Sequence, residues 1–161
     1  MFKLILSALF AISLSCSHKS SLGEDTVDGS SNIQSSAVNF SAHGSDSRKF
    51  KGLHTVPFDF DSSSLNARAK ELLKQNKSWL NNNSRFKFQI EGHCDAKGSV
   101  EYNLSLGERR AKSVQTYLIN LGVPKKNLDI LSYGKEKLLV DGHSSAADSR
   151  NRRANFVPIK K

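Results

Sequence analysis

The spacing of the apolar residues changes in a regular order along the chain from residue 54 onward. Alternation with polar residues is typical of a half-buried strand, and a spacing of three or four residues is typical of an amphipathic helix. The predicted elements are strand 54–60, helix 66–81, strand 86–90, helix 100–121, strand 128–133, short helix 144–150 and strand 154–159. This β-α-β-α-β-(α)-β order predicts an α+β fold of two layers, with a mixed sheet and helices on one of its faces.

The ends of several elements carry their own signals. Pro57 lacks an N–H group and places the first strand at an edge of the sheet or at the start of the strand. Gly122 is suited to end the second helix, and Pro124 prevents that helix from continuing. The residues expected on the inner faces of the two long helices are Leu65, Ala69, Leu72, Leu73 and Leu80, and then Leu104, Ala111, Val114, Leu118 and Leu121.

The N-terminus has the features of a secretory signal and not of a fold element. Lys3 precedes an apolar run that is too short to span a bilayer, which takes about 20 residues. The run ends in Ser15-Cys16, which resembles a bacterial lipidation signal although Ser13 and Leu14 stand in the reverse of the preferred order. We therefore expect residues 1–15 to be removed and Cys16 to carry acyl chains. The alternative is an ordinary signal cleaved nearby, with Cys16 incidental.

Residues 16–52 are dominated by Ser, Asn, Asp, Gly and Lys and show no sustained apolar period. That composition predicts a flexible, lipid-anchored linker, followed by one folded domain over 53–161. The formal charge of +9 suits nucleic acid, anionic lipid or an anionic wall polymer, or simply a solvated basic surface. A secretory signal and the lack of an aromatic stacking platform argue against nucleic acid.

Five ordered segments are similar to those of a known family. They are Phe58–Leu65, Ile90–Asp95, Glu101–Ala111, Ser132–Glu136 and Asn151–Ala154. Over roughly residues 56–157 they resemble the OmpA-like domain of the peptidoglycan-associated lipoprotein family. The resemblance departs at Ala96-Lys97, where many members have Glu-Arg, and at Pro57, which replaces an aromatic residue.

This resemblance implies a function as well as a fold. It implies an outer-membrane lipoprotein that faces the periplasm and binds the peptide stem of peptidoglycan without being an enzyme. It also implies partnership with a TolB-like propeller, and with TolA, in envelope integrity and cell division. The runner-up interpretation is a related wall-binding lipoprotein outside the Tol system. An envelope hydrolase is a more distant alternative.

The resemblance maps the binding acid and base of the family onto Asp95 and Arg110. In meso-diaminopimelate, the side chain ends in an ammonium and a carboxylate. Asp95 can accept from the ammonium, and the guanidinium of Arg110 can hold the carboxylate with two parallel N–H bonds. The supporting positions around the ligand are matched by Phe60, Asp61, Asn103 and Leu106.

Each of these residues also has a simpler interpretation. Asp95 can cap the turn that follows it, and Arg110 can form a surface ion pair with Glu108 or Asp61. Phe60 and Leu106 can be ordinary core residues.

Other polar residues near the site have structural alternatives as well. Asp61 can be the N-cap of the first helix, and Asn103 is expected to bond the loop backbone and hold the loop closed. Arg152 and Arg153 are expected to form structural pairs at the end of the sheet.

His93, Cys94 and Asp95 are adjacent, which at first suggests a metal site or a nucleophile. Consecutive residues at the end of a strand point alternately to opposite sides, so three neighbours seldom converge on one ion. No helix-spaced histidine pair completes such a site, and no glycine-rich nucleotide-binding pattern is present. We expect no metal, no cofactor and no catalysis.

Overall fold

The structure is a computed structural model that describes residues 43–161, and there the elements follow the predicted order. The strands are β1 Val56–Pro57, β2 Phe86–His93, β3 Leu128–Gly134 and β4 Arg153–Lys160, and the α-helices are α1 Ala67–Asn82, α2 Val100–Asn120 and α3 Ser145–Asn151. Short 3-10 helices cover Gly44–Ser47 and Lys125–Asn127. The predicted signal over 1–15, Cys16 and the linker up to residue 42 lie outside the described residues. Among the described residues, no helix combines the length and apolar character needed to cross a membrane.

The four strands form one mixed sheet in the order β1-β4-β2-β3. β2 is parallel to β3 and antiparallel to β4, while β1 is antiparallel to β4 and lies at an edge. The edge position explains how Pro57 is tolerated, as predicted. The prediction that this strand extends over 54–60 is wrong, because a turn closed by the Ser62 N–H on the Asp59 carbonyl (3.3 Å) ends the extended conformation.

Helix α1 begins at a side-chain cap. The Asn66 side chain accepts from the Ala69 N–H at 2.9 Å, so the alternative that Asp61 is the N-cap is wrong. The apolar face predicted for this helix is buried at Ala69, Leu73 and Leu80.

Helix α2 is capped at its N-terminus by Ser99, whose side chain accepts from the Tyr102 N–H. The helix ends before Gly122, which has a positive φ of 94° as expected for a helix-ending glycine. The prediction that Leu104 lies on the inner face is wrong, because this residue is 39% exposed. The helix approaches β2 most closely at Gly107, where a Cβ placed on Gly92 would lie 1.9 Å from the Gly107 carbonyl oxygen. This contact turns the polar side chains at the start of α2 toward the end of β2.

The two faces of the sheet have different chemistry. Phe88 and Ile90 lie in the apolar core shared with the helices, and so does Phe156, which pairs with Ile90. On the opposite face, Glu91 pairs with Asn155 and His93 pairs with Arg153. All four of these polar residues are at most 1% exposed.

The segment 43–47 covers this polar face. The Ser45 hydroxyl donates to the Asn155 side chain at 2.8 Å, Arg153 donates to the Asp46 carboxylate at 2.8 Å, and His43 lies 3.1 Å from Glu91. Further along, Trp79 donates to the Lys51 carbonyl at 3.0 Å. The prediction of a flexible linker is therefore wrong for residues 43–52. Polar bonds, which leave no hydrophobic period in the sequence, hold residues 43–47 against the sheet, and Phe50 and Lys51 contact Trp79 of α1.

Candidate functional site

A cavity of about 180 Å³ opens where β2 ends and α2 begins. All six predicted site residues line it: Phe60, Asp61, Asp95, Asn103, Leu106 and Arg110. The structure adds Cys94, Lys97, Gly98, Tyr102 and Arg152 to its walls. Residues that are distant in the sequence thus share one small concave surface.

The loop between β2 and α2 is held closed by Asn103, as predicted. The Asn103 side-chain amide donates to the carbonyls of Lys97 (2.7 Å) and Ser99 (2.8 Å). Cys94 follows β2 with its thiol buried against the Asn103 carbonyl at 3.4 Å, and burial raises the pKa of this thiol. The loop that carries Asp95 is therefore fixed to the first turn of α2.

Asp95 is 4% exposed, and each of its carboxylate oxygens has one partner. Oδ1 accepts from the Lys97 N–H at 3.2 Å, and Oδ2 accepts from a terminal nitrogen of Arg152 at 3.1 Å. Capping of the following turn, the alternative interpretation, is thus one of its roles. Because a carboxylate has about four acceptor positions, Asp95 still has acceptor capacity toward the cavity.

The Arg110 guanidinium is fully buried, and burial lowers its pKa from the ordinary arginine value. It donates to three backbone carbonyls, those of Ser62 (2.8 Å), His93 (2.9 Å) and Asp59 (3.0 Å). A guanidinium has five N–H donors, so two of them bond no carbonyl, and the Cys94 sulfur lies beside the guanidinium as a weak acceptor. The alternative of a surface ion pair with Glu108 or Asp61 is wrong. The ion pairs within residues 43–161 include none that joins Arg110 to either carboxylate.

One wall of the cavity is aromatic. Phe60 is 64% exposed, so its alternative interpretation as a core residue is wrong, whereas Leu106 is buried at 5%. The Lys97 ammonium lies 5.7 Å from the centre of the Phe60 ring and pairs with Asp148 at 2.8 Å. The hydrogen bond to Asp148 is the main reason why the pKa of Lys97 is raised.

Asp61 and Tyr102 form a polar pair at the same wall. Asp61 has a positive φ of 51°, and its carboxylate accepts a hydrogen bond from the Tyr102 hydroxyl. That bond is the main cause of the raised pKa of Tyr102. The pair joins the loop after β1 to the first turn of α2.

Sequence reasoning missed Tyr102 and assigned Arg152 a purely structural role. Tyr102 precedes Asn103 and lies one helical turn from Leu106, so helical spacing from that predicted residue was a usable signal. Arg152 forms the expected structural pair, but its partner is Asp95, inside the cavity. No local signal indicates this, because Arg152 and Asp95 are 57 residues apart.

The arrangement suits a small ligand that carries both charges. The cavity is lined by the carboxylates of Asp61 and Asp95, by the guanidiniums of Arg110 and Arg152 and by Lys97, together with the exposed ring of Phe60. Among residues 43–161 no group of three His, Cys, Asp or Glu side chains could hold a metal ion.

A family model and the sequences of known proteins place this chain in the same family. Residues 57–152 match the OmpA family. The chain is 33% identical to a peptidoglycan-associated lipoprotein of Pseudomonas aeruginosa, over 97% of this chain and 94% of that protein. It is 42% identical to one from Haemophilus influenzae, over 63% of this chain and 66% of that protein.

Solved structures show the same fold. A peptidoglycan-associated lipoprotein from Burkholderia pseudomallei aligns with a TM-score of 0.62 and 39% identity, over 65% of this chain and 89% of that one. The C-terminal domain of Helicobacter pylori MotB aligns with a TM-score of 0.63 over 68% of this chain and 87% of that one, and at 20% identity it is similar in fold alone. The predicted fold class, an OmpA-like α+β sandwich, is confirmed.

Proposed function

The chain belongs to the OmpA family and, within it, to the peptidoglycan-associated lipoproteins, and from this premise we propose that the cavity beside Asp95 and Arg110 binds the diaminopimelate end of a peptidoglycan stem peptide. The observation that carries the proposal is that one buried acid and one buried base line the same small cavity. The function is binding without catalysis.

The ligand chemistry fits the hydrogen bonds that the site has left. The ammonium of diaminopimelate is a donor, and Asp95 has spare acceptor positions. The carboxylate is an acceptor, and Arg110 retains two N–H donors after its three bonds to backbone carbonyls. The Phe60 ring offers an apolar surface for the methylene groups between them.

The site is preorganised, which favours binding because little freedom is lost when the ligand arrives. Three carbonyls fix the Arg110 guanidinium, and Arg152 and the Lys97 N–H fix the Asp95 carboxylate. Arg152 also offers the ligand carboxylate a second positive charge. The sequence argument gave the site one binding acid and one binding base, with Asp61 in a supporting position. The structure supports a site in which Arg152 is a second base beside them.

The remaining parts of the proposal concern Cys16, which lies outside the described residues, and the partners of the protein. Acyl chains on Cys16 anchor the protein in the outer membrane, facing the periplasm. The chain then links membrane and wall, and many copies give avidity even where one site binds modestly. We further propose a TolB-like propeller, with TolA, as protein partners in cell-envelope integrity and division. A wall-binding lipoprotein outside the Tol system is the second candidate, and it shares the same wall site.

The test is sedimentation of the full chain with purified sacculi, with Asp95→Asn as the key variant. This variant keeps an oxygen for the Lys97 N–H but removes the charge that faces the ammonium, so we expect binding to weaken by about tenfold or more. Asp129→Asn is the matched control, because this exposed residue lies on β3 outside the cavity. Unchanged binding by a folded Asp95→Asn protein would refute the site.

The same experiment measures specificity. A stem tripeptide that contains diaminopimelate should compete with sacculi, whereas one with lysine at that position lacks the side-chain carboxylate and should compete poorly. Arg110→Lys should remove this preference, since lysine cannot hold a carboxylate with a two-pronged bond. Thermal unfolding must accompany this variant, because Arg110 also holds three carbonyls.

A further inference from the structure

A second cavity, of about 400 Å³, shares Arg152 with the first one. Its lining includes five arginines, and we call it the arginine cleft: Arg48, Arg68, Arg150, Arg152 and Arg153. They come from the N-terminal segment, the first turn of α1, the last turn of α3 and the start of β4. The fold therefore brings together positive charges from separate parts of the chain.

These charges are only partly balanced. Asp46 is the one carboxylate of the described residues that lines the cleft, and it is bonded to Arg153 at 2.8 Å. Arg152 is paired with Asp95 of the other cavity. Within residues 43–161 no carboxylate lies within 4 Å of the guanidiniums of Arg48, Arg68 or Arg150. Three positive charges thus face one concave surface with no counter-charge from the part of the chain that the structure describes.

Arg153 supplies an independent observation. It is 1% exposed and donates through Nε to Asp46 and through one terminal nitrogen to the Asn151 carbonyl at 3.2 Å. Its other terminal nitrogen is buried and has no hydrogen-bond partner among the described residues. A buried charged donor without an acceptor is costly, so an oxyanion in the cleft that accepts from it would be stabilising.

We propose that the arginine cleft is a binding site for a phosphate-bearing anion, separate from the site proposed for the stem peptide. A phosphate carries close to two negative charges and three acceptor oxygens, and guanidiniums match it with paired N–H bonds. A single carboxylate would balance only one of the three surplus charges. The stem-peptide cavity differs from the cleft, because its carboxylates and cationic side chains together suit a ligand that carries both a positive and a negative charge.

The test measures pyrophosphate binding to the full chain by calorimetry, in wild type and in Arg68→Gln/Arg150→Gln. Both side chains are exposed and make no hydrogen bond or ion pair with a described residue, so the variant should fold normally. Arg85→Gln/Lys126→Gln removes the same charge away from the cleft and is the matched control. We expect affinity to fall about tenfold or more in the cleft variant and by less than about twofold in the control.

Vesicles of phosphatidylglycerol identify the source of the phosphate, with wild type and both variants carrying Cys16→Ser so that no acyl chain anchors them. If the cleft variant also loses vesicle binding relative to the control, the ligand is a lipid headgroup; if only pyrophosphate binding falls, it is a soluble anion. The proposal is overturned if wild type and cleft variant bind pyrophosphate equally, if the control loses as much as the cleft variant, or if wild type does not bind.

Discussion

The two faces of the sheet are both buried, but by different interactions. On the helix face, Phe88, Ile90 and Phe156 are buried by apolar packing. On the other face, Glu91 and Asn155 are buried just as deeply by hydrogen bonds to each other and to a short N-terminal segment. Alternate residues of the same strands thus build an apolar core and a polar network.

The two faces differ in how strictly each one determines which residues pack against it. Apolar packing is non-directional and tolerates many partners of the right volume, whereas a buried polar group needs a particular partner. Burial alone would raise the pKa of Glu91, but hydrogen bonds from His93, Asn155 and His43 outweigh burial and hold the pKa below its ordinary value. The polar face therefore selects one segment, 43–47, by its bonds.

The largest expected effect is on the apolar face. Phe88→Ala should lower the free energy of unfolding by about 3–5 kcal/mol, because it removes a large side chain from a closed core. Gln89→Ala, one residue further on the other face, is the control and should cost only about 0.5 kcal/mol. Urea unfolding of the full chain measures both. Equal losses would mean that the faces do not differ as described.

The polar face should respond nearly as strongly at its ion pair. Asp46→Ala leaves the buried guanidinium of Arg153 without its carboxylate, and we expect a loss of about 3 kcal/mol. Asp46→Ala/Arg153→Met removes both charges and should recover much of this loss. Arg153→Met alone completes the cycle, and a double variant as unstable as the two single losses added together would show that the pair is not coupled.

The sequence predicted the apolar face well and the polar face poorly, for a physical reason. Alternation in β2 predicts a strand, and the same alternation favours solvent on the side of Glu91 and His93. That side is buried only because residues 43–47 lie on it, and Ser45 and Asp46 bind by hydrogen bonds that leave no periodic pattern. Local composition therefore predicted a linker for this segment.

The candidate site also has parts that the sequence predicted and parts that it did not. The resemblance to a family located Asp95 and Arg110, and the structure places both on one cavity. The pairing of Asp95 with Arg152 depends on how the end of α3 meets the end of β2, which no local pattern encodes. Leu104 was predicted to face inward because it is apolar and fits the helical spacing. In the structure Leu104 is exposed, and the neighbouring Asn103 is buried instead because its side chain bonds the loop before the helix.

A smaller effect is expected at the hydroxyl that starts the polar network. Ser45 donates to Asn155 at 2.8 Å and accepts from the Phe156 N–H at 3.0 Å. Ser45→Ala should cost about 1–2 kcal/mol, because it leaves the buried Phe156 N–H unsatisfied. Ser113→Ala on α2 is the matched control, because it removes a hydroxyl from a half-buried serine outside this network. Hydrogen exchange at Phe156 should accelerate in Ser45→Ala only, and unchanged exchange would contradict the assigned bond.

The smallest effect separates the two faces by pH. Burial lowers the pKa of His93, against the attraction of Glu91 and Asp46 and with the repulsion of Arg153. A histidine with a lowered folded pKa binds fewer protons in the folded state than in the unfolded state. Its contribution to stability is therefore complete above about pH 6.5 and is lost as the pH falls from there through the folded pKa.

Glu91 acts in the same direction in a lower window, because its lowered pKa makes its contribution complete above the ordinary value of about 4.3 and lost below it. We therefore expect the urea midpoint to fall between pH 7 and pH 5.5 through His93, and His93→Gln to flatten that part of the profile. Phe88→Ala should leave the slope unchanged while lowering the whole curve, since no titrating group lies in the apolar contact that it removes. A slope that persists in His93→Gln would show that the pH dependence does not arise from His93.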